Sequence, residues 1–188
     1  MVFLWLALAI GLGTVFAGQA MERRARIRES RSQLARIEEN PLFFLSDESM
    51  SRLEDAVRRI PGDADLAAAL SWERALQTVF LGRDADAWQK AHAVAANRMK
   101  SAAASPVSRI RAAGAPLLVH ARTAETRAEL LANLREALQL ADDWPGSPLA
   151  RHVVAAAAMG AGEIEFARQF LSPSDPEPFS WLYLEMLL

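Results

Sequence analysis

The sequence predicts an all-α protein: an N-terminal transmembrane helix followed by antiparallel helix pairs. Three observations carry that expectation. Residues 1–21, "MVFLWLALAIGLGTVFAGQAM", contain no charged side chain. After residue 40 nearly every segment repeats its apolar residues with helical period and stops at Pro or Gly. No stretch alternates with a period of two over the length of a strand, so no sheet is expected.

The first 21 residues, at about 1.5 Å per residue, give a helix of roughly 31 Å, which matches a bilayer's hydrocarbon core. Trp5 stands near one end, where an amphipathic ring suits the interface. A cleaved signal peptide competes, with "Val15-Phe16-Ala17" as its small-residue site, but nothing basic precedes the apolar run. The basic residues follow instead: five arginines lie between Arg23 and Arg31. By the positive-inside rule this places the N-terminus outside and the rest in the cytoplasm of a bacterium, anchored as a single-pass inner-membrane protein. Ala7, Ala9, Gly11, Gly13 and Ala17 form overlapping small-xxx-small pairs, which let a second membrane helix approach closely. Arg23, Arg24, Arg26, Arg28 and Arg31 are expected at lipid headgroups, each contributing about 1 kcal/mol of attraction to an anionic leaflet.

Residues 22–40 form an Arg-rich juxtamembrane stalk. They hold neither Gly nor Pro and are good helix formers, so the membrane helix is expected to continue through them. Pro41 closes the stalk, because the residue before proline resists the helical region. "LSDESMSRLEDAVRRIPG" then opens with a capping Ser46 and carries Met50, Leu53, Val57 and Ile60 on one face. "DADLAAALSWERALQTVFLGRD" runs from an aspartate cap to Gly82, and "DADAWQKAHAVAANRMKSAAASP" ends at Pro106. Further helices are expected near 107–122, 125–142, 148–160 and 163–171. Pro116 should kink or split the first of these. Turns of two to five residues between helices of this length make neighbours antiparallel.

Composition narrows the function classes. The chain has 188 residues, 52 % hydrophobic and 23 % charged, with a formal net charge of −2. That suits one domain plus an appendage and argues against nucleic acid as a partner. There is no cysteine, which excludes disulfides, thiolate metal sites and cysteine nucleophiles. His92, His120 and His152 fall on separate helices without ligand-spaced acids, so ordinary surface or groove histidines are expected and no metal or cofactor. No HExxH, nucleophile elbow, Walker or GxGxxG pattern occurs outside the apolar run, and the chain is not expected to be an enzyme or to take a small-molecule substrate. Glu38/Glu39 and Asp142/Asp143 stand at helix ends as solvated acids.

"VVAAAAMGAGEIEFARQFL" resembles the tetratricopeptide repeat. Ala155 and Ala158 fall where the first helix carries small residues, Gly162 at the turn, and Ala167 where the second helix crosses. "EALQLADDWPGSP" resembles the second helix of a preceding unit, and "LQTVFLGRDADAWQKAHAVA" gives a poorer match around Gly82. The spacing between units exceeds the 34 residues of that repeat, and the middle unit has no turn glycine. A compact irregular bundle is the competing architecture. The resemblance covers roughly residues 47–172 and implies, for a repeat domain at 41–172, a tetratricopeptide-like or related α-solenoid whose curved surface binds protein partners.

The segment 173–188 ends in "FSWLYLEMLL", too short to span a bilayer. It either folds back on the last helices or docks a partner through Phe179, Trp181, Leu182, Tyr183 and Met186, aromatic and apolar anchors of the kind that dominate interfaces. The expected function is a non-enzymatic scaffold or accessory subunit of a larger membrane complex, with other subunits and membrane lipids as partners. An assembly factor of the envelope or of cytochrome biogenesis, with its repeat domain facing the periplasm, is the alternative.

Overall fold

A computed structural model describes residues 2–40, 42–83, 85–100 and 104–171, with side-chain surroundings from residue 18 onward. Among the described residues it is all-α, without strands. The helices are α1 (Val2–Glu39), α2 (Asp47–Arg59), α3 (Ala64–Leu81), α4 (Ala85–Met99), α5 (Pro106–Thr123), α6 (Arg127–Asp143), α7 (Pro148–Gly160) and α8 (Ile164–Ala167), with a short 3-10 turn at Phe43–Leu45.

Local chemistry sets most of the boundaries. The side chains of Ser46, Asp63, Ser105, Thr126 and Ser147 each accept a hydrogen bond from a backbone N–H in the first turn of the helix that follows. Thr126 and Glu129 form a reciprocal capping box on α6. Gly82 ends α3 in the left-handed region at φ 62°, and Gly162 makes the α7–α8 turn at φ 79°. Pro116 does not split α5, which is helical throughout Pro106–Thr123. The expected helix at 163–171 is shorter, a single α-helical turn at Ile164–Ala167 continued by turns to residue 170.

The odd-numbered helices lie side by side and run the same way. At their starts, the Asp65 carboxylate on α3 accepts from the Ser105 N–H that opens α5, at 2.9 Å. At mid-length, a Cβ on Gly114 of α5 would meet Val153 of α7 at 2.8 Å and Trp72 of α3 at 3.1 Å. At their ends, a Cβ on Gly160 of α7 would stand 2.3 Å from the Ala121 carbonyl oxygen of α5. The two glycines are therefore needed for close approach. Return helices α4, α6 and α8 complete hairpins with α3, α5 and α7, and each of α4 and α6 also packs on the next odd helix. The caps Asp63, Ser105 and Ser147 recur every 42 residues, eight more than in a tetratricopeptide unit. The core residues of α3, α5, α6 and α7 form one continuous cluster, and α1 and α2 close a second cluster around Met50, Leu53 and Leu66.

Helix α1 joins this array without a break. Ile37 is buried among Phe43, Met50 and Leu53, and Glu29 pairs with Arg59 at the far end of α2. The two helices thus form an antiparallel hairpin. Residues 18–28 are all exposed. Among the residues whose side chains are described, no helix is long and apolar enough to cross a membrane. The apolar run at 1–21 falls for its greater part outside them.

Candidate docking surface

Helices α2 and α4 both lean on α3 but scarcely touch each other. The strip of α3 between them stays open as a groove of about 320 Å³. Ala67 and Leu70 make its floor, Val57 one wall, and Ala87, Ala91 and Val94 the other, with Glu54, Arg58 and Lys90 at the rim. Val94 is 43 % exposed, high for a valine flanked by other apolar groups. Sequence explains the shape: alanines at 67, 87 and 91 leave room where longer side chains would close the two walls together. Glu54 is held by Arg74, which also donates to Gln77 at 2.6 Å. The Gln77 amide in turn donates to the Phe44 carbonyl at 2.7 Å. This chain of bonds ties α2 and the 3-10 turn to α3 and so holds the α2 wall of the groove.

A second cleft, about 420 Å³, lies where α5 meets α6 and is lined by His120, Thr123, Glu125, Glu129, Asn133 and Glu136. Its character is polar and acidic. Hydrogen bonds from the Thr126 and Glu125 backbone hold the Glu129 carboxyl below the usual range. Among the described residues no group of three His, Asp or Glu side chains is arranged to hold a metal ion.

The histidines differ more than the sequence suggests. His92 shares a 3.3 Å hydrogen bond with Ser71 and stacks on Trp88 at 5.5 Å, and burial lowers its pKa. His120 is exposed. His152 is 2 % exposed, so it is a core residue rather than a surface or groove one, because α7 is buried along its middle turns.

The buried ionisable side chains of Glu73 and Arg111 are absent from the sequence expectations. Glu73 is 3 % exposed on α3 and Arg111 6 % exposed on α5. Burial pushes the Glu73 carboxyl up to about 8, against a smaller opposing pull from the Arg111 guanidinium. Among the described residues, Glu73 Oε2 and Arg111 Nε have no hydrogen-bond partner. The signal was present in "LAAALSWERALQTVF", where an acid sits in a helix that is apolar on nearly every side.

Of the residues singled out from the sequence, some fall among the described side chains and others outside them. Arg23, Arg24, Arg26, Arg28 and Arg31 are exposed along α1, with Arg26 3.7 Å from Glu22. Ala7, Ala9, Gly11, Gly13 and Ala17 lie on the α1 backbone, but their side chains lie outside the described part. Phe179, Trp181, Leu182, Tyr183 and Met186 fall outside the described residues altogether. Ala155, Ala158 and Ala167 are fully buried around the Gly162 turn. Compared with known protein families, characterised proteins and solved structures, the chain matches none.

Proposed function

We propose that the chain is a membrane-anchored scaffold: a helical-repeat platform, of tetratricopeptide-like or related solenoid type, that holds a protein partner as an accessory subunit of a larger bacterial membrane complex. The observation that carries this reading is the continuity of α1. One helix runs from the uncharged segment through the arginines into the hairpin with α2. A rigid helical rod transmits position, so the repeat domain stands at a fixed distance from whatever holds residues 1–21. The exposed residues 18–28 measure about 16 Å along such a helix. Parallel odd helices with hairpin returns form a surface that presents grooves, and the α2–α3–α4 groove supplies an apolar one with a charged rim. The arginines favour the cytoplasmic side of the inner membrane for the repeat domain.

Fractionation tests the anchor. The full chain expressed in a bacterium should stay with membranes after an alkaline carbonate wash and be released by detergent. Recovery in the wash would overturn the proposal.

A further inference from the structure

The two ends of the helical array stand at different distances from the uncharged segment. Along α1 the side chains are exposed from residue 18 to residue 28, and burial begins at Glu29 and Ser30. Glu29 pairs there with Arg59, the last residue of α2. At the other end of α2, Asp47 pairs with Arg83 just beyond α3. Direction therefore alternates: α2 runs back towards the uncharged segment and α3 runs away from it. Ser105 at the start of α5 is bonded to Asp65 at the start of α3, and α7 runs with α5. The α2–α3, α4–α5 and α6–α7 connections thus gather at the end nearest residue 21. The other turns lie about 27 Å farther off, the length of the 18-residue α3.

Charge is spread unevenly between these ends. At the far end three exposed arginines are taken up by acids: Arg52 by Glu48, Arg83 by Asp47 and Arg127 by Glu163. The α4–α5 corner at the near end differs. Arg98 in the last turn of α4, Lys100 just after it and Arg109 in the first turn of α5 have no ion-pair partner among the described residues. Lys100 and Arg109 are exposed, and so is Val107 between them. The acids beside this corner, Asp63 and Asp65, accept from the backbone N–H groups of Leu66 and Ser105. Asp142 and Asp143 belong to the α6–α7 corner, on the side of the array away from α1.

Height decides whether the corner can touch lipid. Glu29 stands eight residues beyond Met21, about 12 Å along the helix. The α2–α3 turn carries that level across to Asp65 and so to Ser105. A headgroup layer takes up roughly 5–8 Å of the distance. The gap that remains, about 4–7 Å, is spanned by a lysine or arginine side chain and lies inside the ~8 Å screening length at physiological salt. We infer that, with residues 1–21 anchored as proposed above, the α4–α5 corner rests on the anionic leaflet as a second membrane contact. Arg98, Lys100 and Arg109 meet the headgroup phosphates there. The inference rests on the anchor reading. Each cation near such a leaflet favours contact roughly fivefold, so three favour the docked array about a hundredfold. A single helix leaves the domain free to turn about its axis, whereas two contacts fix the direction in which the α2–α3–α4 groove opens.

The absence of native cysteine makes the test direct. Full-length chains carrying Val107→Cys at the near corner, or Leu81→Cys at the far end as control, are labelled with a fluorophore. They are reconstituted into vesicles of phosphatidylcholine alone or with phosphatidylglycerol, each containing a lipid with a nitroxide on its headgroup. The label at Val107→Cys should be quenched at least about twofold more in the anionic vesicles than in the neutral ones. The label at Leu81→Cys should be quenched in neither. Adding Lys100→Glu and Arg109→Glu to the Val107→Cys chain should remove the difference between the lipids. So should salt at about 1 M, where the screening length falls to about 3 Å. Equal quenching at Val107→Cys in both lipids, or a difference that survives charge reversal, overturns the inference. Flotation of the same vesicles separates it from the anchor. A chain that floats with neutral vesicles but shows no anionic-lipid-dependent quenching loses the second contact alone. One that fails to float with them loses the anchor and the contact together.

Discussion

Glu73 offers the sharpest test of the packing between α3 and α5. Its carboxyl titrates near 4.5 when the chain is unfolded and is pushed up to about 8 in the fold. A raised folded-state pKa means that the native state holds a proton the unfolded state releases. The associated stability is complete below pH 4.5 and is lost as pH rises towards 8. Each unit of difference corresponds to about 1.4 kcal/mol, so this group alone should remove up to about 5 kcal/mol between those limits. Replacing Glu73 by Gln keeps the shape and the amide's hydrogen-bonding capacity but removes the titration. The E73Q chain in detergent should unfold at nearly the wild-type temperature at pH 5. At pH 8 it should unfold well above it, by roughly 10 °C or more if 1 kcal/mol moves the midpoint by about 2–4 °C. Circular dichroism melts at pH 5, 6.5 and 8 read this out. Parallel curves for the two proteins across that range would show that Glu73 is not buried as described.

Further predictions follow from the close approaches, the caps and the groove. Gly160→Ala must drive a methyl into the Ala121 carbonyl, a backbone atom that cannot rotate aside. It should cost at least about 1–3 kcal/mol in thermal or urea unfolding. Thr126→Ala removes one half of the capping box and should cost about 1 kcal/mol, read from the same melts. Val94→Asp changes a half-exposed groove wall. It should leave stability within about 0.5 kcal/mol while weakening copurification of any partner held in that groove. A phosphatase reporter fused after residue 171 should be inactive in a bacterium if the repeat domain lies in the cytoplasm, and activity there would reverse the topology.

Local features were legible because they depend on neighbours in the chain. Ser46, the aspartate at 63 and Gly82 mark their helix ends by side-chain and backbone chemistry that acts within one turn. The α7–α8 turn follows from Gly162 for the same reason, and the unbroken helix through 22–39 from the lack of any breaker. Pro116 shows the limit. A proline disfavours the helix it interrupts by about 3 kcal/mol, yet α5 passes through it, held between α3, α6 and α7. His152 was placed at a surface or groove because one sequence cannot say which helices will surround α7.

The residues themselves therefore determined the helical class, most of the boundaries and the division between an uncharged leading segment and a polar-studded domain, since propensity, capping and hydrophobic period are short-range effects. Only the tertiary structure decided that α3, α5 and α7 stand parallel, that Gly114 and Gly160 mark their contacts, and that Glu73 and Arg111 are drawn inside. Those outcomes rest on contacts between residues about 40 positions apart, whose selection depends on how all the faces pack at once and leaves no local mark in the chain.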